Sequence, residues 1–129
     1  NALNRIAIPH MSEGSSILYI GSTLAEKAVP GVASYVIAKH ALAGMMRATC
    51  QDLMGSGIHT ALVCPGFTDT EMLRTHLGNG QSVLEAIGGM NSFGRLIDPG
   101  EIAELIHWVH HNPVINGAVL HANLGQKEA

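Results

Sequence analysis

The sequence predicts an α/β fold with a parallel sheet, on three observations. Three short β-rich apolar runs recur along the chain: SSILYIGST from residue 15, IHTALVCPGF from residue 58 and GAVLHAN at 117 to 123. Helical sequence separates each run from the next, and strands that alternate with helices join through right-handed crossovers into a parallel sheet. The first two runs close on small, polar or ring-constrained residues, Gly21-Ser22-Thr23 and Pro65-Gly66, which open a loop at the carboxyl end of a strand. At 129 residues the chain is long enough for one domain with a real core, because about two-thirds of the unfolded surface is buried at such a size. Residues 1 to 129 therefore read as a single α/β domain.

The elements follow in order. Residues 3 to 13 line up Leu3, Ile6, Ala7 and Met11 on one helical face. Pro9 predicts that this helix ends or kinks there, since a proline inside it removes one hydrogen bond and meets the preceding turn. A buried strand comes next, and residues 24 to 33, with Pro30-Gly31, read as a loop. From Ser34 the stretch SYVIAKHALAGMMRATCQDLM is apolar on nearly all sides, the pattern of a helix buried on more than one face. Gly55-Ser56-Gly57 stops it. After the second strand, residues 69 to 92 mix short helical patches with glycines and read as a mobile helical segment. Asp98-Pro99-Gly100-Glu101 opens a further helix, with Asp98 as N-cap, Pro99 at the first helical position and Glu101 three residues after the cap. That helix runs through IAELIHWVHH and stops before Asn112-Pro113, ahead of the third strand.

Composition narrows the function classes. Hydrophobic residues make up 47% and charged residues 13%, with a mean hydropathy of +0.22, so many segments must be covered on more than one side, as in a piece of something larger. A net charge of −3 and a pI near 6.2 offer no electrostatic footprint for nucleic acid or an anionic membrane. Lys39, Arg47, Asp52 and the glycines interrupt the longest apolar runs, so none reaches the roughly 20 residues of a membrane helix. Cys50 and Cys64 sit in apolar runs without C-x-x-C spacing, which reads as reduced, buried thiols of a cytoplasmic protein. A disulfide between them is not excluded. The chain begins at Asn1 with helix-like sequence almost at once, and we expect residues upstream of it.

Chemistry concentrates at few positions. Tyr35 and Lys39 stand four residues apart on the long helix, so their side chains project from one face about a turn apart. An ammonium that close favours the phenolate and makes the tyrosine a plausible general acid/base. Pairs of this kind arise by chance on many helices, so the spacing alone does not carry the assignment. Ser22, however, lies just past the first strand, where open α/β sheets place their ligands. Pro65-Gly66 ends the next strand, with the hydroxyls of Thr68 and Thr70 close behind. His107, His110 and His111 could suggest a metal site by their helical spacing, but no carboxylate or cysteine completes a set, and we expect no metal there. Cys64 reads either as a neighbour of a ligand or as a small buried residue. Met45-Met46 reads as helix packing.

At this point the sequence resembles the short-chain dehydrogenase/reductase family. The matching stretches are IGS at 20 to 22, YVIAK at 35 to 39, PGFTDTEM at 65 to 72, GRLIDPGEIAELI at 94 to 106, and GAVLHAN at 117 to 123 with Asn116 before it. They cover practically the whole chain in order, and are similar to those of bacterial 3-ketoacyl-carrier-protein reductases. The resemblance implies the C-terminal part of a Rossmann-type doubly wound parallel sheet, three strands with flanking helices. It implies an NAD(P)-dependent oxidoreductase that moves hydride between nicotinamide and a ketone or secondary alcohol. Tyr35 would be the general acid/base, Lys39 would assist it and hold the nicotinamide ribose, and Ser22 would orient the carbonyl. Pro65, Gly66, Thr68 and Thr70 would border the nicotinamide, with Thr68 departing from the family's common Ile or Val. The segment 69 to 93 corresponds to the family's substrate lid, which makes Met72, Leu73 and Leu77 candidate pocket residues; a plain surface excursion is the other reading. The helix at 34 to 54 would pair subunits into a homodimer or homotetramer.

Family members begin with a strand, a glycine-rich turn and a helix that hold the pyrophosphate and choose NAD or NADP. No G-x-x-x-G-x-G turn occurs in the 129 residues, and neither Gly78-Asn79-Gly80 nor Gly88-Gly89 follows a strand. We therefore expect the nucleotide-binding half to be absent from this chain, the choice between NAD and NADP to be unreadable from it, and the first strand to become an exposed edge. Two functions stay open at this stage. One is the catalytic half of a longer oxidoreductase, inactive as the isolated 129 residues. The other is a truncated, inactive fragment that serves as a self-associating interaction module.

Overall fold

A computed structural model describes residues 1–78 and 80–127; of the Gly78-Asn79-Gly80 triplet, Asn79 lies outside the described residues. Helix α1 (Ala2–Ala7) gives way to a 3-10 turn (Ile8–His10) with Pro9 inside it, so the proline ends the α-helix as its missing N–H requires. Strand β1 (Ser16–Ile20) leads into a 3-10 turn (Thr23–Ala25) and then helix α2 (Ala33–Asp52). Strand β2 (His59–Pro65) is followed by helices α3 (Glu71–Leu77), α4 (Gln81–Gly88) and α5 (Pro99–His111), and strand β3 (Ala118–Ala122) closes the order. The three strands form one parallel sheet in the order β1-β2-β3, with Leu18 opposite Ala61 and Ala61 opposite Ala118. The expected α/β class and its parallel sheet are what the structure shows.

The sheet is the middle of three layers. Successive side chains of a strand point to opposite faces, and β2 uses both. Leu62 and Cys64 pack with Tyr19, Ala25, Ala43 and Met46 on the α2 side, while Ala61 and Val63 pack with Val109, Leu105 and Ile106 on the α5 side. A parallel strand covered on both faces has to be apolar without alternation, which is why VCPG follows HTAL with no polar break beyond Thr60. Helix α2 corrects one expectation. Instead of being buried on more than one face, it sinks only Ala43, Met46 and Thr49 into the core, and Ile37 is 69% exposed. The sheet covers one face of the helix, and nothing among the described residues covers the other. Cys64 is buried as expected, but Cys50 is only half-buried, and both are free thiols.

Polar ties fix how the layers sit. Asn4 Nδ2 donates to the Tyr19 hydroxyl at 2.6 Å, and that hydroxyl lies 3.1 Å from Thr49 Oγ1, so one buried phenol joins α1, β1 and α2. Asn116 Oδ1 accepts the Thr60 N–H at 2.8 Å and the Cys50 thiol at 3.4 Å, which docks the turn before β3 onto β2 and α2. Histidines at the end of α5 and at the start of β2 do related work. His110 Nδ1 lies 2.7 Å from Ser16 Oγ, and buried His59 donates from Nε2 to the Val109 carbonyl at 2.9 Å. Among the described residues, no group of three or more His, Cys, Asp or Glu side chains is placed to hold a metal ion, and no helix is long and apolar enough to cross a membrane.

The start of α5 is the expected capping box in full. The Asp98 carboxylate accepts the Gly100 N–H at 2.7 Å, Glu101 accepts the Asp98 N–H at 2.9 Å, and Arg95 grips Glu101 through two bonds of 2.7 and 2.8 Å. That grip, with the Asp98 N–H, lowers the Glu101 carboxyl from 4.5 to about 2. β1 pairs with β2 alone among the described residues, so its outer edge is open, as expected, and Ile20 at its end is exposed.

Two outcomes follow. Leu62→Ala, which empties a fully buried site, lowers stability by about 2–5 kcal/mol in urea unfolding. A carboxyl whose folded value is depressed contributes its full stabilisation above its ordinary value and loses it as pH falls toward the folded one. Amide exchange at Asp98 should therefore quicken, relative to its intrinsic rate, as pH falls from 4.5 to about 2, and Glu101→Gln should remove that dependence.

Candidate active site

The carboxyl ends of β1 and β2 carry the residues singled out in the sequence. Lys39 lies one helical turn after Tyr35 on α2, with Nζ 5.4 Å from the Tyr35 ring centroid. The same ammonium donates to the carbonyl of Ile20, the last residue of β1, at 3.4 Å. This contact lays the opening of α2 across the end of the strand, two residues from Ser22. Tyr35 itself is 46% exposed, with its ring free to meet a ligand.

Ser22 is held by its own turn. Extended backbone at Ser22 makes it the N-cap of the 3-10 turn, where its Oγ accepts the Leu24 N–H at 3.2 Å and its carbonyl accepts the Ala25 N–H at 2.9 Å. Gly21 permits this approach. A Cβ there would sit 3.0 Å from both Cys64 Sγ and Leu62 Cδ1, closer than a side chain tolerates without a shift. Cys64 lies beneath this turn as a fully buried residue whose thiol is pushed up by burial, so of its two readings the small buried residue is the one the structure shows.

At the end of β2, Pro65 and Gly66 turn the chain against the C-terminal segment. Gly66 donates to the Ala122 carbonyl at 2.9 Å, and a Cβ at Gly66 would stand 2.9 Å from Asn123 Cα and from Gln126 Oε1. Thr68 makes a parallel bridge with Ile97, flanked by bonds from Ile97 N to Phe67 O and from Asp69 N to Ile97 O, both 2.9 Å. Thr68 Oγ1 donates to the Gly66 carbonyl at 3.1 Å, and Thr70 Oγ1 caps α3 by accepting the Leu73 N–H at 3.2 Å. Pro65, Gly66, Thr68 and Thr70 thus lie along one turn, and Met72, Leu73 and Leu77 lie on α3 just beyond it. Met72 is 70% exposed, Leu77 is exposed and Leu73 half-buried.

The sequence reading missed what anchors this region. The Asp69 carboxylate takes the Arg74 guanidinium through two bonds of 2.6 and 2.8 Å around the Thr70 cap, which holds the Asp69 carboxyl below its usual range. The five-residue spacing across an N-cap was the available signal. At the far end of the 69 to 93 segment, the Ser92 N–H donates to Leu124 O at 3.1 Å. One end of the segment is therefore tied through Asp69 N to Ile97 O, ahead of α5, and the other to the residues that follow β3. Glu26 was also overlooked; its partners Arg47 and His121 lie 21 and 95 residues away, and no local pattern reveals such a contact.

The Gly66 contact is testable against a second glycine. Gly66→Ala should destabilise the chain by about 1–3 kcal/mol, because backbone rather than a flexible side chain stands in the way. Gly44→Ala, on the open side of α2 where a Cβ meets nothing within 4 Å, should instead stabilise it by about 0.5–1 kcal/mol. Urea melts of both variants read the two signs.

Known proteins resemble this chain in sequence and in fold. A sequence family described as Enoyl-(Acyl carrier protein) reductase matches residues 2–127. The chain is 31% identical over 91 residues to the short-chain dehydrogenase fogB of Aspergillus ruber, covering 70% of this chain and 33% of that protein. It is 30% identical over 114 residues to the chloroplastic NADPH-dependent aldehyde reductase 2 of Arabidopsis thaliana, covering 87% of this chain and 41% of that one. Among solved structures, a dehydrogenase/reductase from Sinorhizobium meliloti 1021 superposes with a TM-score of 0.83 at 34% identity, over 95% of this chain and 48% of its own. The chain therefore spans between a third and a half of the length of these relatives. With residues 2–127 matched by the family model and 95% of the chain superposed on a dehydrogenase/reductase, the chain belongs to the short-chain dehydrogenase/reductase family.

Proposed function

We propose that the chain supplies the catalytic residues of an NAD(P)-dependent oxidoreductase acting on a ketone or secondary alcohol, with Tyr35 as general acid/base. The observation that carries this reading is Lys39, which stands 5.4 Å from the centre of the Tyr35 ring while bonded to the last carbonyl of β1, beside Ser22. When bound, the nicotinamide supplies or accepts the hydride. Proton transfer and orientation of the carbonyl fall to side chains of this chain.

Hydrogen-bond capacity supports the roles. A serine hydroxyl has one proton and two lone pairs; because Ser22 Oγ accepts from Leu24 N–H, its own proton remains for a substrate oxygen. In reduction, the Tyr35 phenol gives its proton to that oxygen as the carbonyl becomes an alcohol, and the Lys39 ammonium stabilises the phenolate left behind. Lys39 has three donors and spends one on Ile20 O, leaving two for ribose hydroxyls. In oxidation the same groups run in reverse.

The fit to the dinucleotide is good at one end. Tyr35, Lys39 and the turn from Pro65 to Thr70 can hold the nicotinamide-ribose end, in the crevice at the carboxyl ends of parallel strands where such ligands lie. Among the described residues no glycine-rich strand-to-helix turn is placed for the pyrophosphate, and nothing here chooses between NAD and NADP. Met72, Leu73 and Leu77 would then face the substrate from the 69 to 93 segment.

A second reading rests on a different observation. The outer face of α2 presents Ile37 beside Ala41, Gly44 and Ala48, all exposed, and β1 leaves one edge open. Such a surface suits pairing of two copies through the helix at 34 to 54 as a homodimer or homotetramer, or a catalytically silent self-associating module.

Both readings are separable by measurement. Tyr35→Phe should cut turnover of the catalytically competent native protein by about 100- to 10,000-fold, with its circular dichroism unchanged; full turnover in that variant removes the mechanism. NADH or NADPH titrated into the 129-residue species should show no binding if the silent module is correct, and saturable binding rejects it. Ile37→Glu should shift the sedimentation of the pair toward monomer.

A further inference from the structure

Residues 21–32 join β1 to α2, and whatever fixes this connection fixes Ser22 against Tyr35 and Lys39. Its first part is packed, with Thr23 buried and Ala25 in the core beside Ala43 and Met46. Immediately after comes Glu26. Its Oε2 accepts His121 Nε2 at 2.8 Å, and its Oε1 accepts Arg47 Nη2 at 3.3 Å. Arg47 is two helical turns beyond Lys39 on α2, and His121 stands on β3 opposite Cys64, the residue that lies against Gly21. One carboxylate therefore touches the serine turn, the helix that bears Tyr35 and Lys39, and the third strand.

These contacts complete a ring. From Ser22 it runs through the 3-10 turn to Glu26, across to Arg47, back along α2 to Lys39, and from Nζ to Ile20 O beside Ser22. With the Glu26 contacts removed, the serine turn keeps the packing of Ala25 on Ala43 and Met46 but loses its polar ties to Arg47 and His121, which leaves the orientation of the Ser22 hydroxyl less fixed. We infer that Glu26 is a positioning residue that sets the Ser22 hydroxyl relative to Tyr35 and Lys39 through Arg47 and His121. This rests on the catalytic reading of those three residues given above. The hydrogen bond from His121 holds the Glu26 carboxyl below its ordinary value, so it is the ionised form that is gripped.

The side chains of Glu26, Arg47 and His121 are all partly open to solvent, and ion pairs in that setting contribute little to global stability. Misplacing a catalytic group by about 1 Å, in contrast, can cost on the order of 100-fold in rate. The two effects separate in one experiment. In the catalytically competent native protein, Glu26→Gln should lower kcat by roughly 5- to 100-fold with KM for the nicotinamide unchanged and the thermal midpoint close to wild type. Amide exchange at Leu24 and Ala25, whose N–H groups are held by Ser22, should quicken in the same variant. Glu101→Gln, which breaks a shorter, two-bond ion pair away from the serine turn, should leave both readouts as they are. Wild-type kcat and exchange in Glu26→Gln overturn the positioning role, as does a loss of kcat matched by an equal loss in Glu101→Gln. Ser22→Ala and Tyr35→Phe are measured alongside. Unchanged turnover in those two overturns the catalytic reading, while their inactivity beside an unaffected Glu26→Gln overturns the positioning role alone.

Discussion

Strand β2 is enclosed from His59 to Cys64, with α2 on one face and α5 on the other. It also takes hydrogen bonds from a neighbour on each edge. A strand in that position has no freedom of register, because a slip of one residue would exchange its α2-facing and α5-facing side chains. Fixing β2 fixes the level at which β1 ends beside it, and so the height of Gly21 and Ser22. It also fixes where Pro65-Gly66 turns against Asn123. The candidate site is thus assembled from chain reversals whose heights are set by one buried strand.

Around that strand the polar contacts divide by environment. Tyr19, Thr49 and His59 make their bonds where little water competes, and they settle how the helices lie on the sheet; Asn116 bonds the Thr60 N–H from a more open position. The ion pairs are outside. Asp69 with Arg74 and Arg95 with Glu101 are well formed yet solvated, so their effect is to orient short segments rather than to add much stability. Each stands next to a helix start, α3 and α5, where a carboxylate also meets the exposed N–H groups of the first turn. Orientation is thereby retained while Met72 and Leu77 of α3 stay exposed.

The share of the relatives that this chain spans gives the exposed surfaces a physical meaning. Three parallel strands with a helix on each face hold their geometry well enough to superpose on a chain twice as long, because every crossover is completed within the 129 residues. What three strands cannot do is cover their own rim. Among the described residues, the open edge of β1 and the outward face of α2 are left without apolar cover, and both lie next to the residues proposed to do chemistry. One helix, α2, carries both the outward face and the Tyr35–Lys39 pair, so the proposed association and the proposed chemistry share an element.

Much of this was legible without coordinates. Three apolar runs alternating with helices determined the α/β class, Pro9 the end of the first helix, and Asp98 with Glu101 the start of the last, because each depends on residues within one or two turns of one another. The motif residues were legible for the same reason: Tyr35 with Lys39, and Pro65-Gly66 ahead of Thr68 and Thr70, are local patterns tied to strand ends. The tertiary structure alone decided that α2 buries a single stripe, since an apolar helix sequence does not say how many neighbours it will find. It alone decided that Cys50 meets Asn116 and that Glu26 joins Arg47 to His121, contacts spanning 66, 21 and 95 residues. Periodicity and capping are written in adjacent residues, whereas a long-range polar contact exists only after the sheet has brought distant segments to the same height.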